Sequence, residues 1–388
     1  MKKILIANNN MCVGGVQKSL YNLLWSIEGH YDVTLFLFRA IGTYANQLPP
    51  WVKVIEASSL FRFLGVSQGA CVGLDKLKRG SLAALCRVFG RPAVMKIILS
   101  SQKMLEEEYD CAIAFLHNGN ERNFYGGVQE FVLDKVKARK KVAFLHCDYR
   151  RCGANMPGNH VLLKRFDRIA ACSEGCRDTF CSVLPELADR CTSVRNFHRI
   201  DEIKALAREN TVVYSAECHN LIMVSRLAHE KGIERAIEAV ANAVNYGIPV
   251  MLHIVGGGPM EAVLRKKMKD CNAEEFVRFY GEQGNPYRYM KNADLFLMTS
   301  FHEAAPMVID EAVLLGLPVL TTQTTSSQEM VIDRGVGWVC ENNQMALNDT
   351  LMSILDDPEG LHVMTEKMRS KSADNRMAIR QFAALIEE

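Results

Sequence analysis

At 388 residues, 48% hydrophobic and 23% charged, the chain has the make-up of a folded protein long enough for two domains, which excludes a disordered or fibrous class. Its 46 Lys and Arg nearly balance its 44 Asp and Glu, so a net charge of +2 provides no global attraction to nucleic acid. No apolar run approaches the roughly 18 residues of a membrane span. The opening residues turn polar too soon for a signal peptide, and thirteen cysteines without one point to a reducing cytoplasm. Cys172, Cys176 and Cys181 lack the spacing of paired zinc knuckles and read as small buried hydrophobes.

The pattern predicts a first strand over 3–7, a loop containing Gly14 and Gly15, and a helix with Leu20, Leu23, Leu24 and Ile27 on one face. A glycine pair there allows close approach of backbone to a ligand, though such a pair also serves a plain tight turn. Further strands are expected at 33–38 and 52–56. Residues 61–103 are basic, with Asp75 as their one acid, and Leu82, Leu85, Cys86 and Phe89 recur at helical spacing. That segment suits either a solvated helix face or contact with an anionic membrane. Strands at 112–116 and 142–145 each end in a histidine, His117 and His146, at the carboxyl tip where ligands of α/β sheets bind. A strand at 168–172 follows, and 201–217, without a core-forming face, reads as an interdomain connection.

The second half opens with a strand at 220–224, followed by Arg226 and Lys231. Two cations at a strand's carboxyl end can neutralise a diphosphate; otherwise they are surface charges. A strand at 250–255 leads into Gly256-Gly257-Gly258-Pro259, where Glu261 breaks any dinucleotide fingerprint. Strands at 276–280 and 335–340 and a terminal helix at 374–388 complete the pattern.

The most informative stretch is 295–322. Leu295-Phe296-Leu297-Met298 is a strand buried on both faces, Pro306 occupies a first helical position, and Gly316 and Pro318 stop the helix before another strand. Glu303 lies in the loop at the strand's carboxyl end and Glu311 inside the helix. The amides of Met307 and Val308 lie in the first turn, where the helix N-terminus favours a phosphate. Sugar, diphosphate and ribose would match this series.

Glu303 and Glu311 with seven residues between them, then Ala312 and Gly316-Leu317-Pro318, resemble the E-x7-E signature of retaining glycosyltransferases of family 4. Ala304 stands where the family has Gly. The run from Ser225 to Gly232 is similar to the family's GRL-x-x-x-KG motif, with Ser225 in place of Gly, and Gly14-Gly15-Val16 to its donor loop. The resemblance is dense over 221–322 and thin over 41–101. It implies an α/β GT-B fold of two Rossmann-like domains facing each other across a donor/acceptor cleft. The domains would be 1–200 and 218–373, joined by 201–217, with 374–388 packing back on the first. It implies transfer of a sugar from a nucleotide diphosphate sugar to a glycan or lipid-linked hydroxyl, with bacterial surface polysaccharide as the expected product. Glu303 would contact the donor sugar, as would His146. Gly14, Gly15, Arg226, Lys231, Gly256, Tyr280, Met307, Val308 and Glu311 would bind the donor, and His117 and Asn118 would line the acceptor side. No cofactor is expected, and no metal, since the chain has no D-x-D. The expected location is cytoplasmic, with 61–103 against the inner membrane face. Ala304 and Ser225 keep open a second expectation, a non-catalytic binding subunit that partners an active homologue.

Overall fold

The apolar runs build two all-parallel sheets. The computed structural model describes residues 1–370 and 374–387. They form two compact units, one of 1–198 with 375–388 and one of 199–374. Of the expected domain limits, 371–373 and 388 lie outside the described residues.

The first sheet holds β1 (Lys2–Asn8), β2 (Tyr31–Leu37), β3 (Lys53–Glu56), β4 (Glu108–Ala114), β5 (Lys137–Leu145), β6 (Arg168–Ala171) and β7 (Cys191–Ser193), in the order β3-β2-β1-β4-β5-β6-β7. The second holds β8 (His219–Val224), β9 (Val250–Val255), β10 (Val277–Phe279), β11 (Leu295–Met298), β12 (Val319–Thr322) and β13 (Gly337–Cys340), ordered β10-β9-β8-β11-β12-β13. Parallel strands need crossovers, and the helices that supply them cover both faces, so the strands are apolar on both sides.

Alternation along each strand divides the core. Leu5 and Ala7 of β1 enter one cluster while Ile4 and Ile6 enter the cluster on the other face. Likewise Leu295 and Leu297 of β11 face one way, and Phe296 and Met298 the other. The helix Arg376–Glu387 buries Ala378, Phe382, Leu385 and Ile386 in the first unit, where the Phe382 ring meets Tyr31 and Phe197 edge-on at 6.0 and 6.2 Å.

Two local expectations are corrected. Residues 201–217 do contain a core-forming face: the helix Ile200–Arg208 buries Ile203 and Ala207 in the second unit. The face went unseen because only two small or branched residues, four apart, carry it. Pro306 is the cap of the helix Met307–Leu314 rather than its first residue, its ψ of 111° being extended. Among the described residues, no helix is long and apolar enough to cross a membrane.

Candidate functional site

In the second unit the chain starts at β8, runs outward through β9 and β10, then returns to β11 on the other side. The strand order thus reverses between β8 and β11, the place in an open parallel sheet where ligands bind at the carboxyl ends of the strands. The loop after β8 brings Lys231 and the loop after β11 brings Glu303. Lys231 Nζ donates to Glu303 Oε1 at 2.6 Å, and Ser300 Oγ donates to the same oxygen at 2.8 Å. Both side chains are mostly buried, at 24% and 13% exposure.

Backbone contacts hold the two loops together. Gly232 sits at φ 57°, and a Cβ there would lie 2.3 Å from the Thr299 carbonyl oxygen. Thr299 Oγ1 donates to Gly232 O at 2.7 Å, and Phe301 N to Glu230 O at 2.9 Å. One ammonium donor is committed to Glu303 and two remain for an anion. Arg226 is held apart from the pair, 68% exposed and bound to Glu230 at 2.5 Å.

Gly256 has a packing reason to be glycine. At φ 145°, a Cβ would fall 1.9 Å from the Ser225 carbonyl oxygen, so the loops after β8 and β9 touch only because it has none. Tyr280 has its backbone largely committed: its N–H donates to Ile254 O at 2.9 Å and its carbonyl accepts from Gln283 Nε2 at 2.6 Å. One carbonyl lone pair is left. Glu311 is 3% exposed, so its carboxylate is largely withheld from bulk water. Met307 and Val308 begin their helix, where amides have no intrahelical carbonyl to bind.

The remaining sequence-predicted residues lie in the first unit. Gly14 caps the helix Gly15–Ser26 in extended conformation, and a Cβ on Gly15 would meet nothing within 4 Å. The protein's own packing does not demand that glycine. His146, after β5, rests against Phe115 and Phe144 at 4.6 and 5.6 Å, and its Nε2 is buried without a hydrogen-bond partner. Burial, reinforced by nearby His117, pushes its pKa down to about 3; burial takes His117 to about 4. Both rings are neutral at neutral pH.

Asn118 is corrected. It is 2% exposed and turned inward, its amide donating to Glu130 Oε2 at 3.0 Å and its oxygen accepting from Gly127 N at 2.9 Å. At that burial its side chain serves the interior rather than an acceptor. One member of the basic stripe is not on the surface. Arg91 is 2% exposed and paired with buried Glu130 at 3.1 Å, with Asn159 as a further partner. On the helix Gly73–Phe89, Leu82 and Cys86 are buried, whereas Leu74, Leu77, Val88 and Phe89 stay 66–73% exposed. Sequence reasoning missed Ser300, because a serine after a buried strand carries no signal of the carboxylate it binds.

A buried histidine in the second unit gives a pH dependence. His253 in β9 binds Tyr280 Oη at 2.9 Å and Asn220 Oδ1 at 3.2 Å, and burial holds its pKa down to about 4. An unfolded histidine titrates near 6.5, so below that pH only the unfolded state takes the proton and stability falls as pH falls. Between pH 7 and 5.5 this ring is expected to cost about 1 kcal/mol. Urea titrations at both pH values should show a smaller loss for His253→Gln than for the parent; equal losses would refute the burial account.

Comparison with known proteins follows this geometry. Residues 217–371 match the family described as glycosyl transferases group 1. Over its full length the chain superposes on the Anabaena protein Alr3699/HepE in complex with UDP and glucose, with a TM-score of 0.69 at 19% identity and complete coverage of both chains. The fold is GT-B. WaaG, a glycosyltransferase involved in lipopolysaccharide biosynthesis, shares it at a TM-score of 0.62 and 16% identity, covering 99% of this chain and all of WaaG. Among curated sequences, the O-antigen biosynthesis glycosyltransferase WbnH of Escherichia coli is 32% identical over 166 residues, 41% of this chain and 46% of WbnH. The amylovoran biosynthesis glycosyltransferase AmsK of Erwinia amylovora is 28% identical over 179 residues, 43% of this chain and 44% of AmsK. The chain thus spans less than half the length of these relatives.

Proposed function

We propose that this GT-B chain is a retaining glycosyltransferase, moving a hexose-type unit from a nucleotide diphosphate sugar to a hydroxyl of a glycan or lipid-linked acceptor. The observation that carries the reading is the Lys231–Glu303 pair between the loops after β8 and β11, with Glu303 four residues before a helix N-terminus. The leaving diphosphate gains charge as the anomeric carbon turns positive, so fixed cations and amides aimed at it lower the barrier. Lys231, Arg226 and the Met307 and Val308 amides would take that charge. Glu303 would hold the hydroxyls of the transferred sugar and Glu311 those of the ribose. The family resemblance gives Gly14, Gly15 and His146 parts in the same reaction, and front-face substitution needs no protein nucleophile. On this reading no cofactor or metal takes part, and the product is a bacterial surface polysaccharide made in the cytoplasm. The names of WbnH and AmsK support that last assignment.

A thermal-shift panel of UDP, GDP, ADP and their common sugars, with and without EDTA, tests it. A nucleotide at a hundred times its Kd should stabilise by about 2.7 kcal/mol. One responding nucleotide, indifferent to EDTA, is expected; no response to any would overturn the reading. Because Ala304 departs from the family pattern, donor hydrolysis is the companion assay. Binding without hydrolysis or transfer would assign a non-catalytic subunit instead.

The helix Gly73–Phe89 and its successor Arg91–Ser100 support peripheral membrane contact, since exposed Leu77, Val88, Phe89 and Ile97 alternate with exposed Lys76, Lys78, Arg87 and Lys96. Sedimentation with phosphatidylglycerol vesicles is expected, weakened by salt and by Leu77→Asp, and absent with phosphatidylcholine. Failure to sediment with the anionic vesicles would refute the contact.

A further inference from the structure

Beside His146 lies a cluster of which the family resemblance gives a part only to His117, on the acceptor side. His117 follows β4 and Cys147 follows β5, strands paired in register from Glu108 opposite Lys137 to Ala114 opposite Ala143, so their tips are nearly level. The chain then turns tightly, with Arg151 N and Cys152 N both donating to Asp148 O at 3.0 Å, which returns Cys152 to Cys147. A ring nitrogen of His117 and the two sulfurs all lie within 4.8 Å of one another, the one such group found among the described residues.

We propose that His117, Cys147 and Cys152 form a site for a thiophilic divalent cation of the zinc class, with water in the fourth position. Two thiolates and an imidazole are the soft and borderline donors that such ions select over magnesium or calcium. The sulfurs stand 2.8 Å apart, between the roughly 2.0 Å of a disulfide and the roughly 3.8 Å of two thiolates sharing one tetrahedral zinc. The histidine decides between those two. Its Nδ1 is buried without a hydrogen-bond partner, a costly state that a cation bound through that nitrogen would relieve and a disulfide would not. A cation engages the imidazole and both sulfurs, and the two thiol protons pass to solvent. It would tie the tip of β4 to the loop after β5 and fix the backbone on which His146 is mounted. The ion is distinct in kind from a magnesium held by carboxylates on a diphosphate, so the site stands or falls apart from the donor reading.

The test uses the full chain, purified under reducing conditions and loaded with cobalt. Tetrahedral cobalt with thiolate ligands is expected to give strong visible bands and a sulfur-to-metal charge-transfer band, at one cobalt per chain, displaced by zinc. Cys147→Ser, Cys152→Ser and His117→Gln should each weaken zinc at least about tenfold in a chelator competition, while Cys271→Ser in the second unit should not. Circular dichroism checks that each variant is folded, and the spectrum of the parent chain needs no variant. Absence of the bands, unchanged affinity in the three folded variants, or a Cys147–Cys152 disulfide in the reduced preparation would overturn the site.

Discussion

Glu303→Ala is expected to lower sugar transfer by about 100- to 1,000-fold while nucleotide affinity holds within a few-fold or rises. The carboxylate is 13% exposed and fixed by Lys231 and Ser300, so it is oriented before any ligand arrives. Removing it takes away the group assigned to the sugar hydroxyls. It also frees the third N–H of Lys231 and removes a negative charge beside the diphosphate, so binding of the nucleotide alone should not suffer. Initial rates, with calorimetric titration of the nucleoside diphosphate, separate the two effects. Lost nucleotide affinity would show that Glu303 serves the phosphate side. Lys231→Ala inverts the expectation, because it leaves an unneutralised carboxylate where the diphosphate should bind.

The largest stability effect is expected at Arg91. Its guanidinium pairs with Glu130 at 3.1 Å, and both residues are under 5% exposed. Arg91→Met strands the Glu130 carboxylate in the interior, with only the Asn118 amide left as its side-chain donor among the described bonds. Removing one partner of a buried pair costs about 3–5 kcal/mol. Urea denaturation should show that loss, and Arg91→Met combined with Glu130→Leu should recover part of it because no lone charge remains buried. A single variant as stable as the parent would show that the pair is more hydrated than its burial indicates.

Much of this was legible in the chain. Buried parallel strands appear as short apolar runs, and the runs at 295–298 and 220–224 fall on β11 and β8 because both faces of those strands are covered. Lys231 and Glu303 were singled out separately, each from a strand-to-helix loop. Their direct contact was not legible, since it depends on the order β8-β11 and on the close approach at Gly232. Asn118 misled because a polar residue at a strand tip looks the same whether it faces a ligand or a buried ion pair. Arg91 misled likewise: nothing local distinguishes a solvated arginine from one whose partner lies 39 positions further on. Cys147 and Cys152 meet through a turn whose hydrogen bonds are all backbone, which spacing alone does not reveal.

The helix Arg376–Glu387 belongs to the same unit as β1. The second unit is therefore an insertion in the first, entered after residue 198 and left before 375. During synthesis from the N-terminus, the faces of Tyr31 and Phe197 that meet Phe382 must wait, uncovered, while about 175 further residues are made. The inserted unit has no such dependence and can close its sheet as soon as β13 emerges. The chain thus finishes its second half before its first, and any ribosomal pause between 199 and 374 prolongs the exposure of an apolar seam. That seam is where a nascent-chain chaperone would bind.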